Sequence, residues 1–203
     1  MIHVVTAAER VRYAAALREM YCDRRRVFVD RLGWTIPVTK EGLEIDQFDT
    51  TAAVYLLALD AAGRCQGSLR LLPTNGPHIL GELFPQLCDG EVPRGESVLE
   101  ISRFCTCPDL PDPRLVRKQL LVALVEYALL NEVGRFTCVT HADALTQLLA
   151  IGWDCTPLGL PQPDGGAVIG ALEIRITAET LSLLRDRAGF RAPVLRWEAA
   201  HAA

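Results

Sequence analysis

The sequence lacks the signatures of several large functional classes. It contains no Gly-x-Ser-x-Gly nucleophile elbow, no Walker phosphate-binding loop and no pair of histidines one helical turn apart. Its four histidines are scattered, and its seven cysteines include no Cys-x-x-Cys pair with zinc spacing. The motifs therefore favour neither a serine hydrolase nor a nucleoside triphosphatase nor a zinc enzyme, and we expect no metal.

Long apolar runs and excess positive charge are also missing. No segment approaches the ~20 apolar residues needed to cross a bilayer, and the first five residues run directly into Glu9, Arg10 and Arg12 instead of a secretory signal pattern. The net charge of −4 argues against non-specific nucleic-acid binding. Scattered cysteines in odd number are typical of reduced, mostly buried thiols. We therefore expect a soluble, cytoplasmic protein without a nucleic-acid or membrane partner.

What the sequence does contain is enough apolar material for one large domain. Half of its 203 residues are hydrophobic, which allows a full core. Strand-like runs precede, and then alternate with, segments of helical period, which predicts a single α/β (α+β) domain with a mixed, mostly antiparallel central sheet flanked by helices. The predicted strands cover residues 1–5, 54–59, 65–72, 98–104, 136–140, 153–157 and 168–176, and the predicted helices cover 7–20, 22–33, 114–132, 143–150 and 178–188.

The predicted strand at 98–104 carries charge where burial is expected. Glu100 and Arg103 lie among apolar residues, and a buried ionised side chain costs several kcal/mol unless it is paired. On an ideal pleat Glu100 and Ser102 face one side and Arg103 the other. A β-bulge between them would bring both charges into one cleft, and bulges are frequent next to active sites. A structural ion pair remains the alternative.

Aromatic residues follow an arginine-rich helix. Arg24 lies one helical turn before Phe28, so the two share a face. Gly33 is a plausible end for this helix, and Trp34 follows at once. Phe28 and Trp34 are either core aromatics or an apolar box for a cationic ligand, because aromatic faces attract a desolvated cation.

A long irregular segment, residues 35–51, carries several acidic side chains. Asp46 and Asp49 are three residues apart, which suits binding an amine or an inward-pointing arginine, although a solvated acidic loop is the alternative. Arg70, between two leucines of the strand at 65–72, is a further charge in an apolar setting. An unstructured segment of this length is usually functional or disordered, and its aromatic residues favour function.

A basic face begins the longest predicted helix. Asp112 and Pro113 suit the N-cap and the first helical position. Arg114, Arg117 and Lys118 follow at i, i+3 and i+4, and therefore lie on one side of the helix. This face is either a docking site for an acidic partner or phosphates, or an ordinary solvated surface.

The order and spacing of seven separated motifs resemble those of the acyl-homoserine lactone synthases, the autoinducer synthases of bacterial quorum sensing. The resemblance is densest between residues 24 and 104 and continues more loosely through Val139-Thr140 and Gly152-Trp153. The matching segments are Arg24, Phe28, Arg31 to Trp34, Glu44 to Asp49, Gly67 to Pro73, Leu83 to Pro85 and Glu100 to Phe104.

The resemblance implies a fold similar to that of the Gcn5-related N-acetyltransferases, with residues 1–52 as a mobile part that binds S-adenosylmethionine and residues 53–198 as the sheet core. Such enzymes join the amine of S-adenosylmethionine to an acyl thioester and then close a lactone with loss of methylthioadenosine. S-adenosylmethionine is then a substrate, and no cofactor is expected. The implied catalytic residues are Glu100, Arg103, Arg70, Asp46 and Asp49, and the implied S-adenosylmethionine site is Arg24, Phe28, Trp34 and Arg103.

Two roles for Glu100 stay open at this point. A carboxylate in an apolar strand has the raised proton affinity that a base for the amine requires. Alternatively, Glu100 only holds Arg70 or Arg103 in place.

The acyl group and its donor are assigned by the resemblance together with the apolar second half of the chain. Thr140 matches a family position near the third carbon of the acyl chain, linked to a preference for oxo-substituted chains. The expected acyl-chain pocket consists of Phe84, Leu121, Val122, Thr140, Leu149 and Trp153, with Val125, Val139 and Leu148 as further candidates. The donor, an acyl-carrier protein or an acyl-coenzyme A, would dock on Arg114, Arg117 and Lys118.

Two alternatives to a lactone synthase belong to other classes. A general acyl-coenzyme A-dependent N-acetyltransferase is weakened because residues 108–113 replace the Gln/Arg-x-x-Gly-x-Gly/Ala loop that holds pyrophosphate. A non-catalytic module that binds S-adenosylmethionine or an acyl lactone is the other alternative. Glu100 with Arg103 in the predicted strand argues against it, because such a module has less need of a buried base.

Overall fold

The computed structural model describes residues 1–151 and 153–196, which form a sheet with helices on both faces. The strands are β1 (Ile2–Val5), β2 (Val54–Leu59), β3 (Cys65–Pro73), β4 (Val98–Thr106), β5 (Arg135–His141), β6 (Asp154–Pro157), β7 (Gln162–Asp164), β8 (Ala167–Arg175) and β9 (Leu195–Arg196). The helices are α1 (Ala14–Arg24), α2 (Ile79–Leu83), α3 (Arg114–Leu130), α4 (Ala142–Ala150) and α5 (Ala178–Ala188), and 3₁₀ turns lie at Ala7–Glu9 and Pro85–Leu87.

The strands join in the order β6-β8-β5-β4-β3-β2-β1-β9, with β7 paired to β8. Within the described residues, only β4–β5 and β1–β9 are parallel, and every other pair is antiparallel. The prediction of a mixed, mostly antiparallel sheet flanked by helices is confirmed. The short strands β7 and β9 were not predicted, because three and two residues give no readable period.

The parallel pair β4–β5 separates partway along its length. Pairing ends at Ile101 opposite Cys138, yet β4 continues to Thr106 and β5 to His141. The ends of the two strands therefore diverge and leave room for a cleft between them.

Each face of the sheet has its own core. On one face, α3 and α5 cover a large apolar cluster that includes Leu56, Leu71 and Phe136. On the other face, α1 covers a cluster that includes Tyr55, Leu57 and Leu72. Because strand side chains alternate, neighbouring residues such as Leu56 and Leu57 belong to opposite cores.

The helix predicted at 7–20 begins only at Ala14, after a 3₁₀ turn at Ala7–Glu9, and it runs without a break into the helix predicted at 22–33. After α1 the chain continues as a π-helix, Arg25–Arg31, and leaves it through Gly33, whose φ of 71° favours glycine. The following irregular segment has buried members, including Glu44 and Phe48. Its movement on substrate binding stays a prediction.

Several local predictions can be checked directly. Helix α3 begins at Arg114 with Pro113 at the N-cap, so the cap is one residue later than predicted. Asp112, just before the cap, still accepts a hydrogen bond from the backbone N–H of Arg114 (2.9 Å). All seven cysteines are unpaired, but only Cys65, Cys105 and Cys138 are buried, so the expectation of mostly buried thiols is only partly met. None of the helices in residues 1–151 and 153–196 has the length and apolar character needed to cross a membrane. The predicted core boundary at 198, and Gly152, lie outside the described residues.

Candidate active site

A β-bulge in β4 turns Arg103 into the cleft. Arg70 of β3 is opposite Ser102 and Ser68 is opposite Cys105, so Arg103 and Phe104 together face a single residue of β3. Arg103 has a φ of 52°, in the left-handed region that a non-glycine residue adopts only at some cost. The predicted bulge is therefore present, and it brings Arg103 to the same side of the sheet as Arg70 and Ser102.

Six charged side chains form an ion-pair network next to this bulge: Arg24, Arg70, Arg103, Glu44, Asp46 and Asp49. The guanidinium of Arg24 is fully buried and donates two hydrogen bonds to Asp49, of 2.8 and 2.9 Å. Its Nε also donates to Glu44. These contacts fix the irregular segment to the end of α1.

The other half of the network fixes the same segment to the sheet. Arg70 donates two hydrogen bonds to Asp46, of 2.6 and 3.0 Å, and one from Nε to Ser102 Oγ at 3.0 Å. Arg103 donates from Nη2 to Asp46 (2.7 Å) and to Glu44 (3.0 Å). Of the alternatives that the spacing of the two aspartates allowed, the structure shows the inward-pointing arginines.

The formal charges of the network cancel, which makes its burial tolerable. Burial alone would raise the pKa of Asp49, but hydrogen bonds and charge from Arg24, together with Arg70, hold that pKa well below its ordinary value. Tyr55 OH donates a further hydrogen bond to Asp49 (2.8 Å). Asp49 therefore stays ionised and bound to arginine.

Glu100 lies close to the network but has different partners. Its two carboxylate oxygens accept the backbone N–H groups of Ile79 (2.8 Å) and Leu80 (2.6 Å), at the start of α2. Burial raises the pKa of Glu100 to about 7, against the lowering effect of these hydrogen bonds and of the charges of Arg70 and Arg103. Since Arg70 and Arg103 are held by Asp46, Asp49 and Glu44, the geometry gives no support to Glu100 as their anchor.

A cavity of about 640 Å³ opens between the irregular segment, α2 and the diverging ends of β4 and β5. Its lining includes six residues from the predicted site: Trp34, Asp46, Phe84, Glu100, Arg103 and Thr140. Phe28, Asp49 and Arg70 are not part of the lining but contact residues that are: Phe28 stacks on Trp34, and Asp49 and Arg70 are hydrogen-bonded to Asp46. Arg24 lies one step further back, bonded to Asp49 and Glu44. The sequence thus identified segments that meet at the cavity, but it did not distinguish residues that line the cavity from residues that hold the lining in place.

Four residues expected in the acyl-chain pocket do not line this cavity, and their contact with an acyl chain stays a prediction. Leu121, Val122 and Trp153 belong to the core on the α3 face of the sheet, because that side of α3 packs onto the strands. Leu149 is 40% exposed. Of the further candidates, Val125 and Leu148 are also in that core, whereas Val139 lines the cavity. The apolar lining consists instead of Ile36, Ile79, Leu83, Phe84, Val139 and Ile169.

Three rings stack at the edge of the cavity. Phe28 and Trp34 have centroids 4.7 Å apart at 26°, and Trp34 and His141 have centroids 5.4 Å apart at 19°. The guanidinium of Arg103 lies over Phe28 at 5.6 Å and over Trp34 at 5.8 Å. Phe28 is buried, as expected of a core aromatic, and the cation that both rings contact is Arg103 of the chain itself. Binding of a cationic ligand by the two rings stays a prediction.

Sequence reasoning missed two residues of this region as site residues. Glu44 is completely buried and bonds both Arg24 and Arg103; its place in the motif from Glu44 to Asp49 was a usable signal. His141 is not among the predicted site residues, yet it lines the cavity. A lone histidine gives no such signal in a sequence.

The predicted donor-docking residues are exposed on the first turns of α3. Arg114 keeps 85% of its side-chain surface, and Arg117 and Lys118 are also exposed. They form a basic face that follows directly on the end of β4 and the connector that leaves it. Docking of a donor on this face stays a prediction.

Comparisons with known proteins agree on one family. The family model described as autoinducer synthase matches residues 8–183. The isovaleryl-homoserine lactone synthase of Bradyrhizobium diazoefficiens is 32% identical over 190 residues, which cover 93% of this chain and 86% of that protein.

Solved structures extend this similarity to three dimensions. The coenzyme A-dependent acyl-homoserine lactone synthase BjaI, with S-adenosylmethionine and isopentyl-coenzyme A, has a TM-score of 0.91 at 30% identity, over 99% of this chain and 94% of its own. The coenzyme A-dependent synthase MesI has a TM-score of 0.86 at 32% identity, over 96% and 98%. An acyl-coenzyme A N-acyltransferase from Pseudomonas aeruginosa, at 15% identity and a TM-score of 0.59 over 85% and 97%, shows likeness of fold alone.

Proposed function

Since this chain belongs to the autoinducer synthase family, we propose that it makes an acyl-homoserine lactone from S-adenosylmethionine and an acyl thioester. In the first step the amine of S-adenosylmethionine attacks the thioester carbonyl, forms an amide and releases the thiol. In the second step a carboxylate oxygen of the methionine part attacks its own γ-carbon and displaces methylthioadenosine. The product is a quorum-sensing signal.

Glu100 carries this proposal because it supplies the base that the first step needs. An ammonium group has no lone pair with which to attack, so it must lose a proton before the amide forms. A carboxylate with a pKa of about 7 is partly ionised near neutral pH and accepts that proton far better than an ordinary glutamate. Glu100 acts directly or through one water. Its hydrogen bonds from Ile79 and Leu80 keep the carboxylate aimed in one direction.

The ion-pair network positions S-adenosylmethionine. Arg103, with 10% of its side chain exposed, and Asp46 present a guanidinium and a carboxylate to the cavity. Arg103 suits the carboxylate of the substrate and Asp46 its amine or sulfonium, while Trp34 offers an aromatic wall for the sulfonium. Lactone closure requires the carboxylate to be folded back on the γ-carbon, so holding this geometry contributes as much as proton transfer.

The acyl chain occupies the apolar part of the cavity. Leu83, Phe84, Val139 and Ile169 line this part, and Thr140 lies beside it at the end of β5. This assignment differs from the set expected from the sequence, which included Leu121, Val122, Leu149 and Trp153. It places the thioester carbonyl between the apolar part and Glu100, where the amine must reach it.

The acyl donor is a coenzyme A thioester. Two related synthases of high structural similarity are described as coenzyme A-dependent, one of them with isopentyl-coenzyme A bound. The basic face of Arg114, Arg117 and Lys118 offers guanidinium and ammonium groups to the phosphates of such a donor. An acyl-carrier protein is the competing donor, and the donor panel described next distinguishes the two.

The test is production of lactone by purified protein. S-adenosylmethionine is supplied with a panel of acyl-coenzyme A and acyl-carrier protein thioesters, and the products are identified by mass spectrometry. We expect an acyl-homoserine lactone and an equal amount of methylthioadenosine from at least one acyl-coenzyme A. Glu100→Gln, which keeps side-chain length and removes the charge, should lower kcat/KM by a factor of roughly 100 or more, as expected for loss of a general base.

The exposed Glu96, on the loop that leads into β4, provides a matched control. Glu96→Gln should retain the wild-type rate. A free thiol formed without methylthioadenosine would show a general N-acyltransferase, and binding of S-adenosylmethionine without turnover would show a sensor module. Full lactone synthesis by folded Glu100→Gln would remove Glu100 as the base and leave the family activity intact.

A further inference from the structure

Trp34 is held by a hydrogen bond from outside the ion-pair network. Its Nε1 donates to Nε2 of His141 at 3.0 Å, and the two rings stack. An indole N–H can only donate, so Nε2 of His141 must be the acceptor. The imidazole is therefore neutral in this arrangement, with its proton on Nδ1.

The contact connects two walls of the cavity that are 107 residues apart in the sequence. Trp34 follows the glycine that ends the π-helix, and His141 is the last residue of β5, next to Thr140. Phe28 stacks on the indole ring. The indole of Trp34, which lines the cavity, is thus held by its stacking on Phe28 and by the hydrogen bond from its N–H.

We propose that His141 is a positioning residue for S-adenosylmethionine, which acts by fixing the indole of Trp34 through the Nε1–Nε2 hydrogen bond. This inference rests on the proposed function and goes beyond it by assigning a role to His141. Because His141 adjoins Thr140, the same bond also keeps the S-adenosylmethionine wall at a constant distance from the acyl end of the cavity.

Two substitutions separate the hydrogen bond from the stacking. His141→Gln keeps an acceptor near the position of Nε2 but loses the ring, whereas His141→Phe keeps a ring but loses the acceptor. We expect His141→Phe to raise the KM for S-adenosylmethionine by about three- to tenfold, the value of one hydrogen bond, with little change in the KM for the acyl thioester. His141→Gln should retain most of the wild-type affinity.

A double-mutant cycle with Trp34→Phe gives the decisive readout, because phenylalanine keeps a ring and removes the N–H donor. If His141 acts through that N–H, His141→Phe adds little to the effect of Trp34→Phe. His3→Phe is the matched control: His3 also exchanges a hydrogen bond with an aromatic residue, Tyr13 at 3.0 Å, away from the cavity. It should leave the KM for S-adenosylmethionine unchanged.

Calorimetric binding of S-adenosylmethionine to the same variants makes the result independent of turnover. An unchanged affinity in His141→Phe, an equal loss in His141→Gln, or additive losses in the cycle would each overturn the inference. Wild-type protein that binds S-adenosylmethionine but forms no lactone would count against the proposed function alone, since the binding cycle would still decide the role of His141. Wild-type protein that does not bind S-adenosylmethionine would overturn both.

Discussion

A carboxylate can be buried when its charge is compensated or when its affinity for protons rises, and this protein uses both solutions within one site. Asp49 is compensated by Arg24 and Arg70, and its pKa is well below the ordinary value despite burial. Glu100 has only backbone N–H groups as hydrogen-bond partners among the described residues, and burial raises its pKa to about 7. The first arrangement gives a permanent anion for holding charge, and the second gives a group that can exchange a proton.

The raised pKa of Glu100 makes the stability of the protein depend on pH in a defined direction. The folded state keeps the Glu100 proton up to about pH 7, whereas the unfolded chain releases it near its ordinary value of 4.5. The folded state therefore binds more protons between these values, and the contribution of Glu100 to stability is lost as pH rises through that window. A shift of this size corresponds to about 3 kcal/mol in the free energy of unfolding.

Glu100→Gln removes this contribution and serves as the reference. We expect the Tm of the wild type, minus that of Glu100→Gln, to fall by several degrees between pH 5 and pH 7.5, measured by calorimetry in matched buffers. Groups other than Glu100 titrate in both proteins and cancel in the difference. A difference that is constant over this range, or that grows with pH, would mean that Glu100 is ionised in the folded state throughout.

Sequence predicts residues of this kind when their chemistry conflicts with their surroundings. Glu100, Arg70 and Arg103 are charges in apolar strands; Glu100 and Arg103 line the cavity, and Arg70 is hydrogen-bonded to Asp46, which also lines it. His141 could not be found in this way, because a histidine at a strand end is ordinary until the partner is known, and Trp34 is 107 residues away in the chain.

At the scale of elements, the apolar periodicity of regular helices predicts where they lie, whereas interruptions of that regularity, such as the π-helix, cannot be predicted from the sequence. The structure has α5 at the predicted residues, and α3 differs from the prediction by two residues at its end. The π-helix that follows α1 has no sequence signature that separates it from an α-helix, so the segment at 22–33 could be predicted only as helical. The α3 residues expected in the acyl pocket do not line the described cavity for a related reason: α3 is apolar on the side that faces the sheet, and composition alone does not say whether a core or a cavity is there.

The start of α3 provides a test of how an element contributes to donor recognition. Reversing two charges, Arg117→Glu with Lys118→Glu, should raise the KM for acyl-coenzyme A severalfold and leave kcat nearly unchanged, because these exposed side chains attract phosphate without touching the reacting atoms. The effect should shrink between about 50 and 300 mM salt, since exposed charges are screened. Initial rates at varied donor concentration, measured at each salt concentration, give KM and kcat.

The control for this pair lies at the other end of the sheet. Arg175, at the end of β8 that pairs with the start of β5, is 66% exposed. Arg175→Glu should leave the KM for every donor unchanged. If charge reversal on α3 raises the KM for an acyl-carrier protein and not for acyl-coenzyme A, the carrier protein is the donor that docks there.

At the scale of the whole molecule, the ion-pair network connects three different parts of the chain: a helix, the sheet and the irregular segment. Arg24 belongs to α1, Arg70 and Arg103 to the sheet, and the three carboxylates to the irregular segment. Patterning predicted the sheet and its helices because these follow apolar periodicity. It could not predict how the irregular segment is anchored, since the pairing of three arginines with three carboxylates is set by the folded geometry.

Arg24 and Arg25, which are adjacent where α1 continues as the π-helix, allow the contribution of this anchoring to stability to be measured. Arg24→Met keeps side-chain length but removes one of the two arginine partners of both Glu44 and Asp49, which stay buried. Breaking a buried ion pair in this way costs about 3–5 kcal/mol. For a protein of this size we expect the Tm to fall by roughly 10 °C. Arg25→Met removes a guanidinium that is 39% exposed and 3.5 Å from an exposed aspartate, which is worth less than about 1 kcal/mol. Calorimetry should show one cooperative transition in both variants, because the network joins the N-terminal part to the sheet. Equal, small changes in Tm would contradict a structural role for the network and would leave the irregular segment free to move independently of the sheet.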